Sequence, residues 1–357
     1  MRLRPHSAEN ALPLVIEPEA GGATTADALA TWCETERDQV EALLLEHGAL
    51  LFRGFDLRDA QRFEEVALRL APNLKNQYLG TSPRNARSTY TFTASELPPH
   101  YPIMQHCEMS FLPSAPTRLL FCCTEAPPSG GETPLADCRS VWRLLRPEVQ
   151  ERFRDRGVRI LRSYGAPGQG SKLDPWQLKS WPEVFGTTAK EEVEATAAKE
   201  GTRCVWRSDG GLQLLREQPA FVKHPVTGDE VWFNHCQVFH GDAARFEYRK
   251  IVERQRTPRG VGVALLLEVL TSAKKRLKRP EDFATHCTYA DGSEIPKADI
   301  QHLIDVFWEV MVFPKWQRGD LVLIDNFRVS HGRMPFDGPR EILVAFTEGQ
   351  RVGEAAA

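Results

Sequence analysis

The chain has 357 residues, of which 41% are apolar and 26% charged, and a net charge of −3. That is enough chain to bury a large core, and the slight acidity argues against a nucleic-acid binder, which carries a basic excess. No stretch is long and apolar enough to span a bilayer, and the N-terminus lacks a signal-peptide pattern. The eight cysteines include no C-x-x-C pair, so a cytoplasmic protein with reduced thiols is expected.

Taken in chain order, "ALATWCETERDQVEALLLEHG" (28–48) has apolar residues at helical spacing and closes on a glycine, which predicts one amphipathic helix with a C-terminal stop. "ALLFRGF" (49–55) follows as a strand and "RDAQRFEEVALRLAP" (58–72) as a second helix. From Tyr101 onward short apolar runs alternate with Pro and Gly clusters: "RLLFCCTEA" (118–126), "EVWFNHCQVFH" (230–240), "DLVLIDNF" (320–327) and "REILVAFTE" (340–348). Many short strands favour a sandwich or barrel over alternating βαβ units.

Helices are expected at 140–157, 260–277 and 297–311. The basic run "AKKRLKRP" (273–280) reads as a solvated helix face. The stretch 164–204 is rich in Gly, Pro and polar residues and predicts a long loop or lid. No internal repeat or linker divides the chain, so residues 1–357 are expected to form one domain.

The chemistry begins at "MQHCEMSF" (104–111). On a strand, residues two apart share a face, so His106 and Glu108 converge while Cys107 points away. "LVLIDNFRVSHGR" then supplies His331, after an apolar strand and before a glycine-containing turn. Two histidines and a carboxylate on one side of an ion leave its other positions open, the arrangement of non-haem Fe(II) oxygenases. The bare pattern also admits a structural histidine and an ordinary ion pair, a zinc hydrolase, or a non-catalytic ligand-binding fold. Arg340 opens the next strand, which the turn "MPFDGP" (334–339) is expected to fold back beside the first. A guanidinium aimed into the cavity would take a carboxylate bidentately; otherwise Arg340 forms a surface ion pair with Asp337 or Glu341.

These residues resemble the taurine dioxygenase-like (TauD/TfdA) Fe(II)/2-oxoglutarate oxygenases, especially their SyrP-like branch. The resemblance runs through "EHGALLFRGF" (46–55), "LGTSPR" (79–84), "HCEMSF" (106–111), "GGETPLADCRSVW" (130–142), "VWFNHCQVFH" (231–240) and "TYADGSEIP" (288–296). It is densest in "WQRGDLVLIDNFRVSHGRMPFDGPREILVAF" (316–346).

It implies a mainly β fold with helical insertions (α+β) around a double-stranded β-helix, or jelly-roll, core. It implies His106, Glu108 and His331 as iron ligands, with Arg340 and Thr133 on the distal carboxylate of 2-oxoglutarate and Arg333 as the rival arginine. The cofactors implied are Fe(II), 2-oxoglutarate and O2. The reaction implied is hydroxylation with release of succinate and CO2, on an amino acid that is free or tethered to a carrier protein, in specialised metabolism. Desaturation and cyclisation share the first hydrogen abstraction. Halogenating relatives lack the carboxylate that Glu108 supplies here. Many relatives read H-N-E where this chain has His106-Cys107-Glu108.

Candidate substrate contacts are Arg84, Asn234, His235 and His240. The same chemistry on a trimethylammonium or sulfonate compound is the alternative substrate class, and a trimethylammonium group would call for an aromatic cage, for which Trp176, Trp181, Trp206 and Trp232 are available. A homo-oligomer is compatible with the sequence, and neither nucleic acid nor membrane is an expected partner.

Overall fold

The computed structural model describes residues 1–8, 10–76, 84–168, 180–279 and 282–352. Its largest sheet has seven strands in the order Arg2–Arg4, Leu14–Glu17, Ala49–Phe52, Leu321–Asp325, Arg118–Glu125, Glu341–Phe346 and Phe92–Thr93. All neighbours are antiparallel except Leu14–Glu17 with Ala49–Phe52.

The central strands are buried on both faces, which is why they read as unbroken apolar runs. Leu50, Phe52, Leu120, Cys122, Leu321, Leu323, Leu343 and Ala345 meet the helices Ala26–Thr35, Arg37–His47 and Ala60–Leu70. Leu51, Leu119, Phe121, Cys123, Val322, Ile324, Val344 and Phe346 point the other way, onto Leu135 and Val329. Cys122 and Cys123 thus lie on opposite faces, and all eight cysteines are free.

Leu135 and Val329 belong to a second sheet, ordered Ile103–His106, Val329–Arg333, Leu135–Asp137. A four-stranded sheet (Arg203–Trp206, Leu212–Gln218, Val158–Tyr164, Thr285–Thr288) and a helical layer including Ala243–Gln255 and Lys297–Val310 complete the body. The expected α+β class holds. The sheets do not join into a closed barrel among the described residues.

Several local expectations are corrected. The helix read over 28–48 is two, interrupted at Glu36, though Gly48 does cap the second in a left-handed conformation. The buried positions Leu29, Cys33, Val40 and Leu44 keep one helical face across the break, so periodicity cannot see it. The helix read over 140–157 is likewise two, separated at Leu145–Arg146 ahead of Pro147. The strand read over 230–240 ends at Trp232, and Cys236–Phe239 is a short helical turn. There the Asn234 side chain accepts from the Cys236 N–H and donates to the Ala220 carbonyl, turning the chain out of the strand.

Within 164–204, helices Trp181–Phe185 and Lys190–Lys199 replace much of the expected loop; residues 169–179 lie outside the described residues. Lys190–Lys199 buries only Val193 and Ala197, too narrow a stripe to register as amphipathic. The strand Glu341–Phe346 does not lie beside Leu321–Asp325, because Arg118–Glu125 stands between them.

Candidate active site

Strands Ile103–His106 and Val329–Arg333 pair antiparallel with His106 directly opposite His331, and their rings lie 4.4 Å apart. His331 sits within its strand rather than after it. Gly332 permits the close pairing, since a Cβ there would lie 2.6 Å from the Ile103 carbonyl oxygen. Phe121, on the large sheet, packs its ring 5.1 Å from His331 and so backs the site.

Glu108 is not on the strand, which ends at His106. The chain turns at 107–110, with Met109 at a left-handed φ of 57°. That backbone is rare for a residue with a bulky side chain and marks a locally constrained turn. Asn326, fully buried, holds the turn by accepting from the Glu108 N–H at 2.7 Å and donating to the Glu108 carbonyl at 3.1 Å and the Pro116 carbonyl at 2.8 Å. His106, Glu108 and His331 nonetheless converge, with their candidate ligand atoms within 4.8 Å of one another.

The His106 Nδ1–H donates to the Met104 carbonyl at 2.9 Å, which leaves the Nε2 lone pair for a metal, the usual second contact of a metal-ligating histidine. Burial, followed by neighbouring His106, Arg84 and His235, pushes His331 well below the ordinary imidazole range, and its buried Nδ1 has no hydrogen-bond partner among the described residues. A neutral, unclaimed imidazole suits a metal cation. Arg84, one of the candidate substrate contacts, instead donates to Glu108 Oε2 at 2.7 Å, with both side chains 5% exposed. The preceding part of "LGTSPR", residues 79–83, lies outside the described residues.

Beside this group, Gly131 to Leu135 runs antiparallel to His331 to Pro335, tied by Gly332 N–H to Pro134, Met334 N–H to Glu132 and Gly131 N–H to Pro335. Arg340 donates through Nε to the Gly131 carbonyl at 3.0 Å and through Nη2 to Thr133 Oγ1 at 3.4 Å. The first residue of that strip must be glycine: its φ is 69°, and a Cβ would meet the Arg340 Cδ at 3.1 Å. Thr133 Oγ1 also accepts from Trp316 Nε1 at 3.2 Å, so both lone pairs are engaged and its proton is free to donate.

No carboxylate pairs with Arg340 among the described residues. Burial, and next Arg333, pushes its guanidinium down to about 9, the signature of a cation without a counter-ion. Arg333 differs: its fork donates to the carbonyls of Leu97, Pro98 and Tyr101 at 2.7–3.0 Å. The residues therefore fit a divalent metal flanked by an anion-accepting guanidinium and hydroxyl.

Of the other candidate contacts, His235 is closest to the group. It is buried, its ring lies 5.6 Å from His106, and its Nδ1 shares a 2.7 Å hydrogen bond with Ser110 Oγ. Asn234 is engaged with the backbone as described. His240 lies in a second cluster with His286 and Glu294. There both rings accept a backbone N–H at Nδ1, from Asp242 and from Gly241, each at 3.2 Å. Their protons are therefore on Nε2, and His286 donates its own to Glu294 at 3.2 Å. That pattern is a structural network rather than a metal centre.

Among the described residues the tryptophans do not form a cage. Trp232 is buried against Phe153 and Trp142, Trp181 packs edge-on against Trp206, which already faces the Lys190 ammonium, and Trp176 lies outside the described residues.

Sequence reasoning missed Asn326, whose position at the end of the run "LVLID" was its signal. It also missed the Gln105 relay, in which the side chain donates to the Pro134 carbonyl and accepts from Ser330 Oγ, locking the three strands together. No helix among the described residues is long and apolar enough to cross a membrane.

Comparison with known proteins identifies the family of the chain. The family of the taurine catabolism dioxygenase TauD and TfdA matches residues 12–346. The chain is 32% identical over 310 residues to the dapdiamide synthesis protein DdaC of Enterobacter agglomerans, covering 87% of this chain and 84% of that one. It is 28% identical over 349 residues to a clavaminate synthase-like protein of Arabidopsis thaliana, covering 95% and 94%. PvcB, an Fe, alpha-ketoglutarate dependent oxygenase from an isonitrile synthetic pathway, shares the fold at a TM-score of 0.51 and 15% identity, over 98% of this chain and 96% of that one. The chain belongs to the TauD/TfdA family of Fe(II)- and 2-oxoglutarate-dependent oxygenases.

Proposed function

We propose that the protein hydroxylates an unactivated C–H bond of an amino acid or amino-acid-derived substrate, free or held on a carrier protein, in specialised metabolism. On this reading residues 1–357 form one oxygenase domain with a double-stranded β-helix core; of the segment 164–204 read as a lid or active-site loop, residues 169–179 lie outside the described residues. Similarity to a dapdiamide synthesis protein supports the pathway class. The carrying observation is a convergent His-Glu-His group whose His331 strand lies beside Thr133, and a buried Arg340 guanidinium that pairs with no carboxylate among the described residues.

His106, Glu108 and His331 would hold the iron. Arg340 and Thr133 would take the distal carboxylate of 2-oxoglutarate, the arginine as a fork and the threonine through its remaining proton. When bound, iron and 2-oxoglutarate supply the oxidising chemistry, in which O2 oxidatively decarboxylates 2-oxoglutarate to succinate and CO2 and a substrate C–H bond is oxidised. The protein's part is placement. Asn326 fixes the backbone that presents Glu108, Met104 fixes the tautomer of His106, and Arg84 holds one oxygen of Glu108. Retention of a carboxylate at position 108 supports hydroxylation over halogenation. His235, beside His106 and anchored by Ser110, is the residue we assign to substrate positioning.

The test is aerobic turnover with Fe(II) and 2-oxoglutarate against a panel of amino acids, their carrier-bound thioesters, and trimethylammonium and sulfonate compounds, following succinate and product mass together. Amino-acid-type substrates should stimulate succinate release with matched gain of one oxygen atom. Stimulation only by the trimethylammonium or sulfonate members would overturn the substrate class.

A further inference from the structure

Helix Pro258–Leu277 is 20 residues long and buries none of them. It lies on helix Ala243–Gln255 and is fastened to the body by ion pairs: Glu268 with Arg245 and Arg249, and Lys275 with Asp242. Its outer face carries Val261, Leu265, Leu266, Val269 and Leu270, which are 42–66% exposed. Between Arg259 and Lys274 the one charged residue is Glu268, and it turns inward to those arginines. An outer helix face ordinarily carries charge, and a contiguous exposed apolar strip marks an interface.

We propose that this face joins two copies of the chain through an antiparallel, two-fold helix pair. The residues are arranged nearly symmetrically about the midpoint between Leu267 and Glu268. Leu266 mirrors Val269, Leu265 mirrors Leu270, and Gly262 mirrors Ala273. A two-fold axis there sets Leu266 against Val269 and Leu265 against Leu270 around the crossing point, with Val261 falling opposite Lys274 at the margin; that central self-complementarity is what an isologous contact requires. The rows Val261–Leu265–Val269–Ala273 and Gly262–Leu266–Leu270 follow the four-residue ridges that favour a crossing near −50°. The basic ends, Arg256 and Arg259 on one side and Lys274 to Arg279 on the other, therefore splay apart.

A helix of this length spans about 30 Å, so the contact falls at the small end of stable interfaces, with a dissociation constant on the order of micromolar. Like charges at the ends oppose pairing, so added salt tightens the dimer. An acidic protein or an anionic membrane on the same face would show the reverse.

Sedimentation velocity of the full chain, from well below to well above micromolar and at low and high salt, tests this. The mass should move from 40.3 kDa toward twice that value with concentration, and further at high salt. Leu266→Glu and Val269→Lys should each remain monomeric with an unchanged melting temperature, because both side chains are exposed. An equimolar mixture of the two should recover the dimer, since the mirrored positions then pair opposite charges. A wild-type chain that stays at 40.3 kDa throughout, or a dimer undisturbed by Leu266→Glu, would overturn the proposal. So would association that weakens with salt, or a monomer that binds vesicles of anionic lipid.

Discussion

His106 and His331 stand directly opposite each other on adjacent antiparallel strands, a pairing that depends on the bare α-carbon of Gly332. Gly332→Ala places a methyl group 2.6 Å from the Ile103 carbonyl oxygen and must part the strands. Fe(II) affinity should fall at least about tenfold, as for loss of a supporting contact at a metal site. Anaerobic metal titration checks this, with melting temperature showing that the chain remains folded.

Asn326 is predicted to matter to metal binding without touching the metal. Its side chain makes three hydrogen bonds that hold the Glu108 and Pro116 backbone. Asn326→Ala should weaken Fe(II) binding about 10–100-fold and lower stability, since buried backbone groups lose their partners. Asn326→Asp retains the acceptor for the Glu108 N–H and should fall between the two on a metal titration curve.

Arg340 is predicted to act on 2-oxoglutarate alone. Hydrogen bonds to charged groups contribute about 1.5–3 kcal/mol, so Arg340→Ala should raise the 2-oxoglutarate dissociation constant roughly 10- to 150-fold with Fe(II) affinity unchanged. Arg340→Lys keeps the charge but loses the fork, and should recover only part of the loss. Gly131→Ala, which crowds Arg340, should reproduce a milder form of the same defect. Calorimetric titration separates the two ligands. Arg333→Lys, by contrast, disturbs three backbone carbonyls and should show mainly as a lower melting temperature.

Glu247, away from this site, gives a pH prediction. Burial raises its carboxyl to about 7 from an ordinary 4.5, and the hydrogen bond from Trp308 offsets only part of the effect. The folded chain therefore holds a proton that the unfolded chain releases between pH 4.5 and about 7. Its contribution to stability falls as pH rises through that window, by at most about 3 kcal/mol. Glu247→Gln keeps an acceptor for the indole and should be more stable than wild type above neutrality but not at pH 4. Denaturant midpoints at the two pH values would reveal the crossover, and parallel curves would contradict it.

Four strands of the large sheet, Ala49–Phe52, Arg118–Glu125, Leu321–Asp325 and Glu341–Phe346, were legible because burial on both faces makes them apolar throughout, whereas the short strands Arg2–Arg4, Leu14–Glu17 and Phe92–Thr93 were not read. What depends on partners distant in sequence was not. His106 and Glu108 were expected to converge as neighbours on one strand face. They converge because a turn through Met109, clamped by an asparagine more than two hundred residues later, brings the carboxylate back. Likewise Arg340 reaches its place beside Thr133 although its strand pairs with Arg118–Glu125 and not with the strand before His331. The break at Glu36 and the turn at Asn234 preserve the local hydrophobic pattern on either side, so only the folded chain displays them.

The most direct test of the account is anaerobic titration of the metal-free protein with Fe(II) and then 2-oxoglutarate, watching for the weak visible charge-transfer absorption of the chelate. Wild type should develop the band, His331→Ala should not, and Arg340→Ala should need far more 2-oxoglutarate to reach it. Absence of the band in folded, iron-loaded wild type, or its survival in His331→Ala, would contradict the assignment of His106, Glu108 and His331 as the iron site.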